Sequence, residues 1–349
     1  MLAPATQSSG TQRSRWQRPL TRNHTRYVGI DIGIDRVNVA TFGARHDRTP
    51  TSTGNPALRW LSQSEFQLPV DPQAAPQPDW VDRVVECLSE RLPRCVDGDR
   101  NIAVVALPTP WIHYQTTPKT EIQASQSQCD SMFATSIFQS DAHLSKWPVV
   151  TGTDQYVIAA TAESAACRIA EAIASVGYHV QRILPHGVAL LHAAPMLTSM
   201  TPSAVLLLEL SGGLIALSNE NGCGLCRNLL ACGTPTGEQH YLDEIEPWLQ
   251  DIATEVSATS RYVARLNGPI DTQSPILICG RAAHINGVDE AMASMLGRPV
   301  ATWRYAGRSR PRRQASILDS QRSDSGMAVS LSLACCGIEG SAAARRRQP

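Results

Sequence analysis

Tyr27-Val28-Gly29-Ile30-Asp31-Ile32-Gly33-Ile34-Asp35-Arg36-Val37-Asn38-Val39-Ala40 reads as a short apolar strand, a turn, and a returning strand in which Val37 and Val39 alternate with their neighbours. The turn carries Asp31, and glycines flank that carboxylate on either side (Gly29, Gly33). Gly33 has no side chain to keep backbone N–H groups away from an anionic ligand. A carboxylate there can hold a metal-bound water beside a phosphate, because hard cations take oxygen ligands. Asp and Gly are also the ordinary residues of tight turns. The stretch alone therefore leaves a phosphate-binding ribbon and a plain hairpin both open.

The same logic recurs twice further along. Ala204-Val-Leu-Leu-Leu-Glu-Leu-Ser-Gly-Gly-Leu-Ile-Ala-Leu is a buried strand that delivers Glu209 to a turn of small residues, Ser211, Gly212 and Gly213, before a strand returns. Two such hairpins facing one another can clamp phosphates with backbone N–H groups. Pro275-Ile-Leu-Ile-Cys-Gly-Arg-Ala-Ala-His-Ile-Asn-Gly-Val then runs from a strand through Gly280 and Arg281 into a helix. A junction of that kind lets a planar base or sugar lie against bare backbone at a helix N-terminus. Each piece has an ordinary structural reading. Their order is the more specific signal.

In that order the chain resembles the actin-like ATPase superfamily, and within it the PilM-type proteins of type IV pilus assembly and the related actin-like domains of type II secretion. Val28-Gly-Ile-Asp-Ile-Gly is similar to the first phosphate motif. Val104-Val-Ala-Leu-Pro resembles the strand that opens an added subdomain, and Val157-Ile-Ala-Ala-Thr-Ala-Glu-Ser with Ala174-Ser-Val-Gly-Tyr resembles a strand and helix within it. The segment 206–213 occupies the second phosphate motif. Glu255-Val-Ser-Ala-Thr-Ser-Arg-Tyr is similar to the helix that ends at the adenine pocket, and 276–288 stands where the adenosine motif belongs.

The resemblance implies an α/β chain of the actin-like ATPase fold, a duplicated ribonuclease H-like architecture with two lobes around a nucleotide cleft. Its implied cofactors are ATP and Mg2+. Asp31 and Glu209 would bracket the magnesium through water. Backbone at Gly33, Ser211, Gly212 and Gly213 would hold phosphates, and Glu255, Gly280 and Arg281 would meet the nucleoside. It also implies a cytoplasmic scaffold that docks the N-terminal cytoplasmic peptide of an inner-membrane assembly protein, with self-association open. Departures from the pattern point to weak or absent hydrolysis. Glu209 and Ser211 stand where Asp and Gly are usual, Arg281 follows Gly280 where glycines pair, and Asn38 replaces a common basic residue. The helical region between the second phosphate motif and the adenine helix is also short. A small-molecule kinase of the same superfold and a nucleotide-free scaffold are the alternatives. The kinase would need a positioned carboxylate base, for which Asp154 is the mid-chain candidate.

Composition agrees with a globular reading. The 349 residues are 42% hydrophobic, and 31 basic residues balance 31 acidic ones, so no global field recruits nucleic acid. Only the ends are basic, with Arg13, Arg15, Arg18, Arg22 and Arg26 at one and Arg345-Arg346-Arg347 at the other. No apolar run approaches the ~20 residues of a bilayer span, and the N-terminus lacks a secretory apolar core, which leads to the cytoplasm as the expected location. Ten scattered cysteines read as reduced, mostly buried thiols.

Other chemistries fit less well. The only lysines, Lys119 and Lys146, lie outside any Gly-rich loop, which excludes a P-loop. No dinucleotide fingerprint or nucleophile elbow is present. Cys223-Gly-Leu-Cys226 has a metal-knuckle spacing, but in a regular strand residues three apart face opposite ways. His186 and His192 read as ordinary helix histidines. The expected organisation is a basic tail (1–26), a first lobe with an added subdomain (27–195), a second lobe (196–304), a linker (305–325), a terminal helix packing back on the core (326–338) and a basic tail (339–349). Within it, 80–92, 129–138 and 238–263 are predicted helices, the last with a restart at Pro247.

Overall fold

The structure, a computed structural model, describes residues 25–44, 58–68, 78–95, 100–118, 143–148, 155–209, 212–219, 222–229, 241–267, 271–306 and 324–346. The opening stretch forms β1 (Thr25–Ile32) and β2 (Arg36–Ala44), which pair antiparallel with Asp31 directly opposite Asn38. β3 (Leu58–Gln67) continues the meander on the far side of β2. β4 (Arg100–Ala106) and β8 (His179–Ile183) then add parallel to β1, giving the sheet order β3-β2-β1-β4-β8.

A second sheet repeats this plan. β9 (Ala204–Glu209), β10 (Gly212–Asn219) and β11 (Gly222–Leu229) form the meander, while β12 (Ile276–Cys279) and β13 (Val300–Thr302) add parallel to β9, in the order β11-β10-β9-β12-β13. A three-stranded sheet, β5 (His113–Pro118), β7 (Gln155–Thr161) and β6 (His143–Pro148), lies against β11. Its central strand β7 is the apolar strand expected from Tyr156, and the flanking β5 and β6 lie at the two margins of the polar stretch 116–148. The helix expected at 129–138 lies outside the described residues.

Strand alternation sets the layers. On β1, Val28, Ile30 and Ile32 pack with Trp80, Val84 and Leu88 of α1 (Pro78–Arg91) and Ile169 and Ile173 of α2 (Glu163–Ser175). On β9, Ala204, Leu206 and Leu208 pack with α4 (Leu242–Asn267) and α5 (Val288–Leu296). The opposite faces of both sheets enclose α3 (His186–Thr198) and α6 (Ala328–Arg346), which pack against each other and against the sheets. Both central helices are apolar over most of their described residues, 186–198 except for exposed His192 and Pro195 and 328–338, as a helix buried on most sides must be. Helix α4 runs unbroken through Pro247, contrary to the expected restart. Pro247 is the sixth residue of the helix and forfeits the bond to the Asp243 carbonyl, while Ile245, Leu249 and Ile252 around it hold the helix in the second core.

The pairing of β10 with β11 slips between Leu217 and Ser218, which leaves Gly224 as an extra residue. That bulge reverses the alternation, so Cys223 and Cys226 both enter the central core layer. The strand argument against the pair therefore assumed a regularity that β11 does not have.

β1 and α6 meet at Gly29, where an added Cβ would overlap the Ser330 carbonyl oxygen and lie 2.7 Å from the Ala334 backbone nitrogen. These neighbours are helix backbone and cannot step aside. Gly29→Ala is expected to cost about 3 kcal/mol or more, read as a lowered unfolding midpoint in urea.

Candidate functional site

Asp31 ends β1 on the same side as Tyr27 and Gly29, the side that faces α6 and α3. Glu209 ends β9 on the side of Val205 and Leu207, facing the same layer from the other sheet. Both acids line one cavity of about 270 Å3, together with Gly33, Arg36, His186 and Gly213. The two acid-bearing ribbons thus confront each other over a single opening.

Each acid already has a cationic or hydrogen-bonding partner from the protein. His186, the first residue of α3 and 2% exposed, places Nε2 2.9 Å from Oδ1 of Asp31, itself 7% exposed. Asn38 donates from Nδ2 to Asp31 Oδ2 at 3.3 Å and to the Gly326 carbonyl at 3.4 Å. Arg36, 8% exposed, donates to Glu209 Oε2 at 3.0 Å and lies 3.7 Å from carboxylate oxygens of both Asp35 and Glu65. A second pair crosses the opening, Arg281 to Asp35 at 2.8 Å. Asn228 of β11 donates to the carbonyls of Thr109 and Ile112, tying the second sheet to the turn after β4.

Charge states follow from this crowding. Burial pulls the Arg36 guanidinium down, but the surrounding carboxylates of Glu209, Asp35 and Glu65 more than reverse it, so the group stays firmly protonated. Burial pushes the Glu209 carboxyl up against the opposing attraction of Arg36, with Asp31 and Asp35 adding to the rise. Cys279, beneath the same site, has its thiol held well above the ordinary range by burial and then by Glu209 and Asp31.

The other expected site residues divide. Gly213 lines the cavity, and Gly212 pairs with Glu209 across the β9–β10 hairpin. Ser211 and Asp154 lie outside the described residues. Glu255 lies on α4, where its carboxylate accepts from Arg227 at 2.8 Å, and it does not line this cavity. Gly280 has φ of +91°, and a Cβ there would sit 2.5 Å from the Leu208 carbonyl. That glycine allows two backbones of the protein to touch, which differs from the base-facing role expected of it. Arg281 turns toward Asp35. The Gly33 N–H donates to the Arg36 carbonyl at 2.8 Å, closing its own turn.

These contacts test the expected magnesium and phosphates directly. Mg2+ takes hard oxygen ligands in near-octahedral geometry, whereas a guanidinium occupies the Glu209 side and an imidazole the Asp31 side. Among the described residues no group of three His, Cys, Asp or Glu side chains is placed to hold a metal. The Gly33 N–H is committed within its hairpin. As arranged, the residues do not fit a magnesium-bound phosphate.

Arg36 and His186 are the site residues that sequence reasoning missed. The signal for Arg36 was present: with Val37 and Val39 on one face of β2, Arg36 and Asn38 share the other face with Asp31. His186 had no local signal, because it reaches Asp31 only through the packing of α3.

The sequence matches no protein-family model and no curated protein. Among solved structures it is similar to the PilM–PilN type IV pilus biogenesis complex, with a TM-score of 0.65 over 89% of this chain and 98% of that one at 13% identity. The chain has the actin-like ATPase fold. Looser likenesses to that fold include a Bacteroides thetaiotaomicron protein of actin-like ATPase fold and unknown function (TM-score 0.45, 8% identity, 80% and 90% covered). Another is the cytoplasmic domain of EpsL, an inner-membrane component of the Vibrio cholerae type II secretion system (TM-score 0.39, 10% identity, 86% and 94% covered). Among the described residues no helix is long and apolar enough to cross a membrane.

Two outcomes are expected at this actin-like cleft. His186→Ala strips Asp31 of its closest partner and should cost about 2 kcal/mol in urea unfolding, largely cancelled when Asp31→Asn is combined with it. The folded state holds the Glu209 proton more tightly than the unfolded chain does. Its contribution is complete below the ordinary glutamate range and is lost as pH rises through the elevated value. Glu209→Gln should therefore flatten the decline of stability measured as pH rises above the ordinary glutamate range.

Proposed function

We propose that this chain is an actin-like scaffold of a type IV pilus or type II secretion assembly, working at the inner face of a membrane through a protein partner. The observation that carries this reading is the likeness to the PilM–PilN complex, which spans nearly the whole of both chains. Its partner is an inner-membrane assembly protein that offers a short N-terminal cytoplasmic peptide. Nucleotide hydrolysis is not part of the reading, because the two carboxylates that would organise a metal are engaged by Arg36, His186 and Asn38. Between the nucleotide-loaded and nucleotide-free forms of such a scaffold, those contacts favour the second. The kinase alternative gains no support from the cleft, whose described carboxylates are already ion-paired or hydrogen-bonded.

The test is binding to a defined peptide. The gene neighbours of this chain are to be screened for a single-span membrane protein, and its cytoplasmic N-terminal segment synthesised. Calorimetry should show saturable binding near micromolar affinity, about −8 kcal/mol, abolished when the peptide order is scrambled. Absence of binding by every such segment, or phosphoryl transfer to small hydroxyl acceptors, would overturn the reading.

A further inference from the structure

We propose that Arg36 is a built-in counter-ion for the acidic ribbons, so that the two sheets are latched across the cleft by the protein's own charges and no metal or nucleotide is required. It is independent of the partner reading above.

Three observations converge. First, Arg36 stands on β2 of the first sheet and grips Glu209 on β9 of the second, while Arg281 of the second sheet's β12 turn grips Asp35 of the first. The two pairs run in opposite directions, cation from one sheet and anion from the other, and then the reverse. Separating the sheets would break both pairs. Second, Arg36 is nearly buried among three carboxylates, Glu209, Asp35 and Glu65. A guanidinium is permanently charged, carries five N–H donors in a planar fork and has no lone pair to offer a metal. A dication binding Glu209 Oε2 must therefore displace the guanidinium from it. Third, the turn that presents Asp35 and Arg36 is closed on itself, by the Gly33 N–H on the Arg36 carbonyl and by the Leu68 N–H on the Asp35 carbonyl at 2.7 Å. The backbone that would have to open to receive a phosphate is the backbone that aims Arg36.

Asp31 completes the arrangement without a metal. It accepts from His186 and Asn38, and Asn38 also donates to Gly326 at the start of the chain's last helical stretch. Both acids of the cleft are thus satisfied from within.

The experiment compares the full chain with Arg36→Ala and with the double variant Arg36→Ala/Glu209→Gln. Each is followed by thermal unfolding in EDTA, in millimolar Mg2+ and in millimolar Mg2+ with ATP. The wild-type midpoint should be the same in all three conditions, and ATP titration in the calorimeter should be flat. Arg36→Ala should unfold at a lower temperature, because removing one partner of a buried pair leaves the other uncompensated. Mg2+ alone should recover part of that loss by taking the vacated place beside Glu209. The double variant should recover stability without Mg2+, since no buried charge is left unpaired, and it keeps the comparison readable if Arg36→Ala alone does not fold. A wild-type chain stabilised by Mg2+ with ATP would overturn the inference. So would an Arg36→Ala chain as stable as wild type, or a double variant no better than the single one.

Discussion

A strand has two faces, and in β1 and β9 they are assigned to different tasks. One face of each closes a core against outer helices, through Val28, Ile30 and Ile32 on β1 and Ala204, Leu206 and Leu208 on β9. The other face looks into the shared middle of the molecule, and at the strand ends it brings Asp31 and Glu209 into the same opening. Any shift of register by one residue would send both acids into apolar layers. The position of the cleft, the identity of its lining and the burial of the central helices all follow from that alternation.

Placing acids in a half-closed middle creates a charge problem, and the solution here is local. Burial disfavours an ionised carboxyl unless an opposite charge or hydrogen-bond donors compensate it. Arg36, Arg281, His186 and Asn38 supply that compensation from four different points on the chain. The actin-like architecture is retained in its strand order and in the meeting of its two ribbons, while the chemistry at the meeting point is that of ion pairs within the protein. At Gly280 the bare backbone accommodates the Leu208 carbonyl.

Much of this was legible in the residues. The duplicated two-lobed plan came from the family resemblance that the apolar strands and glycine turns carry, and the strand pattern put Asp31 and Glu209 at strand ends that line one cavity. What escaped was tertiary. His186 looked like an ordinary helix residue because its partner is remote in sequence. The CxxC pair looked divided because a single-residue bulge at Gly224 cannot be read from a short strand without its neighbour's register. Pro247 looked like a break because a proline removes a helix hydrogen bond, yet tertiary packing of Ile245, Leu249 and Ile252 carries the helix through it. Arg36 is the instructive case. Its face was implied by Val37 and Val39, yet a basic residue beside a turn invites a solvent-exposed reading until a buried Glu209 is placed in reach.

Helix α6 lies between the two sheets, with Leu331, Leu333 and Ala334 buried and the Ser330 carbonyl against Gly29. Yet among the described residues it is the last helix in chain order. During synthesis both sheets leave the ribosome before α6 does, so the inward apolar faces that it covers stay exposed until it follows. Truncation of this segment would therefore remove the centre of the molecule rather than a margin.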